Sequence, residues 1–297
     1  MNTRLITLFV SLAAGLCGAA LAAVPADLCN DCRMEKYAHC GGFLEGATVN
    51  RDGQLWVVDL LGGRILLVGN DGTCSERANT GGQPNGAKFA PDGQLWIADK
   101  QLGLLRLDTK TGKLTTIANS FRSEKLRGLN DIVFDKAGGL YFTEPYGSGA
   151  LKPDGRLFYL PPGANAKLQL VAGNLAFPNG VVLTGDGNTL LVGEYALKRI
   201  TSLPTPSSPN DFDTSFVWAT TSAGVGPDGM LMLADGTLLA ANFDAGELLA
   251  FDSKGRALGT IPVPAGPRVT NMALRDDWLY VTEGSSGEVW RVRLKPR

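Results

Sequence analysis

Six oxygen-bearing side chains recur along the chain in nearly the same sequence context. Each is an Asn, Asp or Glu at the start of a short β-rich run, and the contexts read LEGATV, PNGAKF, LNDIVF, PNGVVL, PDGMLM and TNMALR. A single Asn-Gly or Asp-Gly pair is an ordinary turn former, but the first copy carries a glutamate, which is a poor turn residue. What all six share is a side-chain oxygen. They are Glu45, Asn85, Asn130, Asn179, Asp228 and Asn271.

Carboxylate and amide oxygens together are ligands for a hard cation, and they favour Ca²⁺ or another divalent ion over copper or structural zinc. Two carboxylates close together in a low-dielectric channel would repel each other unless a cation lay between them. If the six positions converge, the sequence predicts one divalent cation, Ca²⁺ first, with Zn²⁺, Mn²⁺ or Mg²⁺ as alternatives. A water-filled structural channel is the other interpretation.

The elements that would bring these residues together form a repeat. Six segments have a turn followed by a strand-like run: RDGQLWVVD, PDGQLWIAD, KAGGLYFTE, GDGNTLLVGE, LADGTLLAAN and RDDWLYVTE. Successive turns are 40, 45, 49, 49 and 41 residues apart, measured at Gly53, Gly93, Gly138, Gly187, Gly236 and Asp277. Such a period is typical of four-stranded propeller blades. Each polar residue precedes its turn glycine by eight positions, and Asn271 precedes Asp277 by six.

The repeat therefore predicts an all-β fold, a six-bladed β-propeller with four-stranded antiparallel blades. The residues before Gly53 and after Asp277 together supply the missing strands, so we expect N- and C-terminal strands to close the ring in one blade. Equivalent positions of successive blades surround the central channel, which would place the six polar residues in a ring at its mouth. Two stacked β-sandwiches would not explain a single period.

Composition and motifs exclude several classes of protein. Lys and Arg total 28 against 29 Asp and Glu, so no basic face indicates binding of nucleic acid. The single histidine, His39, lies before the first repeat. No Ser-His-Asp set, Cys-His set or GxSxG motif is available for nucleophilic catalysis. A small molecule is the expected partner, and the oligomeric state is left open.

The N-terminus predicts an exported protein. Residues 1–22 contain one cation, an apolar run and a final Ala20-Leu21-Ala22, which are typical of a cleaved secretory signal. We therefore expect a signal peptide at 1–22, a single propeller domain at 23–297, and a periplasmic or secreted location with no membrane contact after cleavage. A retained membrane anchor is the alternative.

Export also sets the expectation for the cysteines. Cys17 would leave with the signal, and the remaining four would lie in an oxidising compartment. These four are Cys29, Cys32, Cys40 and Cys74. An even set predicts two disulfides, with three pairings open. A zinc site formed by the CNDC motif with His39 and Cys40 is the alternative.

Four of the repeat segments resemble a known family. LEGATVNRDGQLWVVD, LNDIVFDKAGGLYFTEP, FPNGVVLTGDGNTLLVGE and GPDGMLMLADGTLLAANF are similar, in order and spacing over residues 43–292, to the senescence-marker-protein/gluconolactonase/luciferin-regenerating-enzyme family. The resemblance implies a six-bladed propeller with a catalytic divalent ion, usually Ca²⁺, in its channel. The implied metal ligands are Glu45, Asn130, Asn179 and Asp228, of which Asn130 is either a ligand or a substrate contact.

The activity implied by the resemblance is hydrolysis of a small lactone. In that reaction a cation polarises the carbonyl and a carboxylate activates water, and we expect Asp228 to be the catalytic base. The substrate-binding candidates are Asn85, Asn130 and Asn271. Alternatives are a phosphotriesterase of the diisopropylfluorophosphatase type and a non-catalytic binding propeller with a structural ion.

One departure from the family concerns the substrate. Two positions before the Asn of the ND pair, some animal gluconolactonases have a substrate-contacting arginine, whereas this chain has Gly128, with Arg127 one position earlier. Animal-type sugar specificity is therefore not implied. Tyr146, Tyr195 and Phe243 are candidate walls of the channel mouth, and we expect them to pack within loops and blades rather than serve as sugar platforms.

Overall fold

The structure is a computed structural model that describes residues 25–208 and 214–296. Within these residues the strands form six four-stranded antiparallel sheets, arranged as a β-propeller, and a small two-stranded hairpin. The predicted fold is confirmed. The described part of the chain contains no helix that is long and apolar enough to cross a membrane. The expected signal peptide at 1–22 and Cys17 lie outside the described residues.

The strands follow the order of the blades along the chain. β1 is Glu35–His39, and the first blade consists of β2 (Leu44–Val49), β3 (Leu55–Asp59), β4 (Arg64–Val68) and β5 (Cys74–Asn79). The second consists of β6 (Pro84–Phe89), β7 (Leu95–Asp99), β8 (Gly103–Asp108) and β9 (Lys113–Ala118). The hairpin β10 (Ser120–Phe121) and β11 (Glu124–Lys125) leads into the third, which consists of β12 (Ile132–Phe134), β13 (Leu140–Glu144), β14 (Gly155–Leu160) and β15 (Gln169–Leu175).

The second half of the chain continues the pattern. The fourth blade consists of β16 (Pro178–Leu183), β17 (Thr189–Glu194), β18 (Arg199–Pro204) and β19 (Phe216–Thr220). The fifth consists of β20 (Gly226–Met232), β21 (Leu238–Phe243), β22 (Glu247–Phe251) and β23 (Ala257–Pro262). The sixth contains β24 (Val269–Arg275), β25 (Trp278–Glu283) and β26 (Glu288–Arg293).

The two ends of the chain close the ring in the sixth blade. Its strand order is β1-β26-β25-β24, so the N-terminal strand forms the outer edge of a sheet whose other three strands are C-terminal. Glu35 pairs with Arg291, and His39 pairs with Glu288. The predicted closure by N- and C-terminal strands is confirmed.

The segments after the turns are apolar throughout because each blade packs against a neighbour on both faces. In β3, Leu55 and Val57 join a core cluster with Tyr280 of the sixth blade. Trp56 and Val58, on the opposite face, join a cluster with residues of the second blade. Since successive side chains of a strand point to opposite faces, the run LWVV supplies two cores at once.

The repeated glycine marks the turn between the first two strands of a blade. Gly53 and Gly93 have φ values of +74° and +83°, a left-handed conformation that glycine adopts at low cost. In the sixth blade the sequence assigned this position to Asp277, but the left-handed residue is Asp276, at φ +53°. The reason is a tighter turn, in which Arg275 pairs directly with Trp278.

The cysteines form two disulfides, as predicted, and the structure selects the pairing. Cys29 bonds to Cys32 and Cys40 bonds to Cys74, with Cα–Cα separations of 4.9 and 5.4 Å. The zinc alternative is wrong because the two bonds together use all three of its thiols, Cys29, Cys32 and Cys40. Since Cys40 follows β1 and Cys74 begins β5, the second disulfide ties the closing blade to the first blade.

Candidate metal centre

Five of the six polar residues of the repeat lie on the innermost strands of their blades, and Asn130 lies two residues before the innermost strand of the third blade. Their side chains are buried, with 3–6% of each residue exposed. The sequence placed each of them immediately before its strand. Only Asn130 lies there; the other five lie inside the strand at a shift in register, where a bulge turns the side chain out of the sheet.

The glycines that follow four of these residues serve close packing rather than turns. A methyl group on Gly46 would come within 2.3 Å of the carbonyl oxygen of Asn85, and one on Gly180 within 2.2 Å of that of Asp228. Only glycine lets the backbones of neighbouring inner strands approach this closely. The Asn-Gly and Asp-Gly pairs are therefore a consequence of the narrow channel.

Hydrogen bonds continue these contacts around the channel. The N–H of Gly86 donates to the carbonyl oxygen of Asn130 at 2.6 Å, which joins the second blade to the third. The hydroxyl of Thr270 donates to the carbonyl oxygen of Leu44 at 2.7 Å, which joins the sixth blade to the first. The polar residues thus belong to a closed ring of contacting inner strands.

Glu45 and Asp228 are carboxyl groups in an environment that opposes their ionisation. Burial, with the charge of Asp131 acting in the same direction, raises the pKa of Asp228 from 3.8 to about 8. Burial also raises the pKa of Glu45 well above its ordinary value, and the charges of Asp228 and Asp131 add to this effect. The channel is therefore short of positive charge, because a cation between these groups would reverse both shifts.

Asn179 provides a second sign that the channel is suited to a cation. Its Oδ1 atom is buried and has no hydrogen-bond partner in the described structure. Its side chain and the N–H of Gly229 favour the ionised form of Asp228 and lower the pKa of that residue. An orphaned amide oxygen beside two crowded carboxylates fits a divalent cation that prefers oxygen ligands.

The donor set differs from a site made only of charged ligands. Among the described residues, no group of three or more His, Cys, Asp or Glu side chains is arranged to hold a metal ion. The candidate set instead combines the carboxylates Glu45 and Asp228 with the amides Asn130 and Asn179, and amide oxygens are ordinary ligands for Ca²⁺.

Two charged residues of the channel were missed in the sequence. The carboxylate of Asp131 accepts hydrogen bonds from the N–H groups of Ile132 at 2.9 Å and Val181 at 3.2 Å. Lys88 donates from Nζ to the carbonyl oxygen of Ala47 at 3.4 Å. Burial raises the pKa of Asp131 and lowers that of Lys88, while the charge of each opposes the shift of the other.

A signal for Lys88 was present in the repeat. Five positions before the turn glycine, the third, fourth and fifth blades have Val133, Val182 and Leu231, whereas the second blade has this lysine. This position is apolar in those three blades and carries an uncharged threonine, Thr48, in the first, so a charge here indicates a nearby partner. Asp131 had a weaker signal, since it is simply the second residue of the ND pair.

A separate set of acids supports the loops that enter the channel. We call them the capping carboxylates: Asp59, Asp99, Glu144, Glu194 and Glu283. Each ends the second strand of its blade and accepts a backbone N–H from the loop before the innermost strand. The donors are Phe43, Gln83, Arg127, Ala176 and Arg268, at 2.8–3.0 Å. The sequence showed these acids but gave them no role.

The substrate-binding candidates lie in the same ring as the candidate metal ligands. The Oδ1 atom of Asn271 accepts the N–H of Met272 at 2.8 Å, so this oxygen is engaged by its own strand. The carbonyl oxygen of Asn85 packs against Gly46. Their role toward a substrate stays a prediction, as does that of Asn130.

Aromatic side chains line part of the channel mouth. Tyr195 packs between Phe177 and Phe243, with ring centres 5.3 and 5.9 Å apart, in line with the packing role predicted for it and for Phe243. Burial raises the pKa of Tyr195, and the charge of Asp228 adds to this, so the ring lies near that carboxylate. Tyr146 is 58% exposed, and the Arg127 guanidinium carbon lies 4.7 Å from the centre of its ring.

The fold and the channel define a six-bladed propeller with a buried ring of carboxylates and amides. The sequence profile of the SMP-30/Gluconolactonase/LRE-like region matches residues 43–285. The chain belongs to this family, as its repeat segments indicated.

Relatives and solved structures agree with this assignment. Lactonase drp35 of Staphylococcus epidermidis is 28% identical over 234 residues, which cover 74% of this chain and 70% of that protein. A gluconolactonase from Xanthomonas campestris superimposes with a TM-score of 0.80 and 23% identity, covering 91% of this chain and 92% of that one. Regucalcin from Agrobacterium tumefaciens, described as a calcium-binding protein, superimposes with a TM-score of 0.71 and 21% identity, covering 86% and 92%.

Proposed function

We propose that this protein is a divalent-metal-dependent lactonase that acts outside the cytoplasm. The observation that carries the proposal is the pairing of Glu45 and Asp228, two buried carboxyl groups with raised pKa values, beside the unpartnered Oδ1 of Asn179. Membership of the family and the similarity to lactonase drp35 support lactones as the substrate class.

The residues that would hold the cation are Glu45, Asn130, Asn179 and Asp228. When bound, the cation supplies Lewis acidity toward the lactone carbonyl. Asp228 is the general base: one of its oxygens takes a proton from the attacking water as the new C–O bond forms. The same carboxyl group then returns that proton to the ring oxygen as the ring C–O bond breaks. Proton transfer by a placed group of this kind contributes about 10²–10⁴-fold to the rate.

The other residues of the ring act by position and charge. Glu45 balances the charge of the centre, while Asn130 and Asn179 are neutral and orient without adding negative charge. Ca²⁺ is the ion we propose first, because every candidate ligand is an oxygen and because a structural neighbour is described as calcium-binding.

Export is part of the proposal and rests on separate observations. The signal-like segment at 1–22 predicts it. Two disulfides support it, because such bonds persist mainly in oxidising compartments. The proposed mature domain begins at residue 23. Detection of a periplasmic or secreted form that begins at Ala23 would test this part directly.

The central experiment is a proton-release assay over a panel of lactones, with EDTA or with added Ca²⁺, Zn²⁺, Mn²⁺ or Mg²⁺. We expect turnover in the wild type that EDTA abolishes and one of these ions restores. Asp228→Asn should be inactive, whereas Asp52→Asn, the same change in an exposed turn, should be fully active. Turnover that is unaffected by EDTA would contradict the proposed dependence on a divalent cation.

Two further measurements separate the alternatives. Glu45→Gln should weaken Ca²⁺ binding in isothermal titration calorimetry without loss of folding, because it removes charge from the centre and little else. Diethyl p-nitrophenyl phosphate in the same assay tests the phosphotriesterase alternative. A protein that binds the ion but turns over neither lactones nor this phosphate would be a binding propeller with a structural ion.

A further inference from the structure

Lys100 occupies a fixed place at the mouth of the channel. It directly follows β7, whose last residue, Asp99, pairs with Pro84 at the start of the innermost strand. Lys100 is therefore at the same end of the blade as Asn85. Its N–H donates to the carbonyl oxygen of Gln83 at 2.8 Å, and its own carbonyl oxygen accepts the N–H of Gly128 at 2.7 Å.

These two hydrogen bonds connect the loops that lead to Asn85 and Asn130. The neighbouring residues are held as well, since Oδ1 of Asp99 accepts the N–H groups of Gln101 and Leu102, both at 2.9 Å. The backbone of Lys100 is thus anchored on both sides. A side chain that starts from an anchored backbone is well suited to recognition, because less freedom is lost when it binds.

Among the described residues, the ammonium group of Lys100 has no hydrogen-bond or ion-pair partner. The residue is half-buried, and within the described ranges it forms no ion pair. Its charge lowers the pKa of both Glu45 and Asp228, so it lies within electrostatic reach of the centre. Arg268, another cation near the mouth, pairs with Asp244 at 3.7 Å.

The charges of the channel leave Lys100 in excess once the proposed cation is bound. Three carboxylates line the channel, namely Glu45, Asp131 and Asp228. A divalent ion and Lys88, which interacts with Asp131, together balance them. None of these groups is then left to balance Lys100, and the neighbouring Asp99 is occupied by backbone N–H donors. An ammonium group in this position beside a partly desolvated centre attracts an anion.

We propose that Lys100 determines substrate specificity by binding an anionic group of the lactone, so that the enzyme prefers lactones that carry a carboxylate to neutral lactones of the same shape. This inference rests on the proposed lactonase function and adds the class of lactone. Lys100 contacts the substituent rather than the ester, so it is a specificity residue and not part of the hydrolytic machinery.

The test compares two substrates that differ only in charge: 5-oxotetrahydrofuran-2-carboxylate and its carboxamide. We expect the wild type to have the higher kcat/KM for the carboxylate. Lys100→Gln should raise KM for the carboxylate about 10-fold, the scale of one charge-assisted hydrogen bond, and change KM for the carboxamide less than about twofold. Lys100→Arg should keep the preference. Lys113→Gln, the same change on the exposed residue that begins β9, is the matched control.

The wild type alone offers a test that does not depend on folding of a variant. Added salt screens charges, so KM for the carboxylate should rise between low and physiological ionic strength while KM for the carboxamide stays constant. If Lys100→Gln raises KM equally for the carboxylate and the carboxamide, the proposal is overturned, because Lys100 would then act on the centre itself. Unchanged KM for the carboxylate would overturn it as well.

A binding measurement separates this inference from the proposed function. Tetrahydrofuran-2-carboxylate and its carboxamide have no ester and can be titrated by calorimetry into wild type and Lys100→Gln, each loaded with Ca²⁺. If no lactone is hydrolysed but the carboxylate binds more tightly to the wild type than to the variant, the lactonase function fails and the anion site stands. If affinity for the carboxylate is the same in both proteins, the anion site fails whatever the enzymatic result.

Discussion

The protein buries two sets of acids that differ in their partners. The capping carboxylates are satisfied: Asp99, for example, accepts N–H groups of Gln83, Gln101 and Leu102 and the hydroxyl of Thr80. The channel carboxylates Glu45 and Asp228 are equally buried, but burial and the repulsion of neighbouring carboxylates raise the pKa of both. Burial alone therefore does not mark a functional acid; a buried acid without enough donors does.

The difference follows from where each set lies in the blade. A capping carboxylate ends a strand beside a loop, where backbone N–H groups have no partner in a sheet and need an acceptor. A channel carboxylate lies on an innermost strand, where neighbouring strands use most of these groups. The same residue type thus stabilises the fold at one position and is left with too few donors at the other. Four predictions test this contrast, in order of decreasing effect.

The largest effect is expected for Asp228→Asn. It should lower kcat/KM for a lactone by at least about 10²-fold, because the amide cannot accept the proton of water. The melting temperature of the metal-free protein should be unchanged or higher, since the variant removes a buried carboxyl group that must hold a proton, whereas the same group is ionised in the unfolded chain. Circular dichroism melts and the proton-release assay measure the two effects. A variant that is both active and strongly destabilised would place Asp228 with the capping set.

Asp99→Ala should have the opposite profile. It leaves three backbone N–H groups and the Thr80 hydroxyl without their acceptor, and we expect a loss of about 2–4 kcal/mol in the free energy of unfolding. Urea denaturation monitored by tryptophan fluorescence measures it. Asp92→Ala, in an exposed turn of the same blade, is the control. A loss no larger than that of the control would show that the carboxylate of Asp99 contributes little to the free energy of unfolding.

The metal-free protein should lose stability as pH rises. The pKa of Asp228 is 3.8 in its ordinary state and about 8 in the folded protein, so between these values the folded state holds a proton that the unfolded state has released. The free energy of unfolding therefore falls with pH in this window. Added Ca²⁺ should raise the melting temperature more at pH 8 than at pH 5, because fewer protons then compete with it. In Asp228→Asn the pH dependence of the metal-free protein should be weaker.

The smallest effect concerns the fifth blade, where Asn242 takes the place of a capping carboxylate. In the first and fourth blades an arginine five positions later pairs with the acid, as in Asp59–Arg64 at 2.8 Å. Here that position is Glu247, which accepts a hydrogen bond from Asn242 at 3.0 Å. Asn242→Asp should cost about 1 kcal/mol through repulsion by Glu247, and adding Glu247→Arg should recover it. An unfolding free energy that is additive in the double variant would show that the two side chains do not interact.

Much of the fold could be predicted because one period runs through the chain. The turn glycines fixed the number of blades, and counting back from them reached the six residues that line the channel. The predicted turn residue was wrong only in the sixth blade. There the left-handed residue is Asp276 rather than Asp277, because the turn is shorter. The closure by the terminal strands followed from counting the residues that remained.

The parts that could not be predicted depend on contacts between blades. The interaction of Lys88 with Asp131 joins the second blade to the third, and no repeat within one blade shows it. The place of Lys100 depends on hydrogen bonds to two different loops. The pairing of Cys40 with Cys74 depends on how the sixth blade meets the first. Periodicity reports positions within a blade, and these features arise where blades touch.

The sixth blade has a consequence for how the protein is made. Its outer strand, β1, is synthesised long before its partner β26, so Lys36 cannot pair with Trp290 until the other five blades have been made. Until then the blades form an open arc, and β1 has no partner strand. Cys40 and Cys74 are only 34 residues apart, so in an oxidising compartment their bond can fasten β1 to the first blade before β1 pairs with β26.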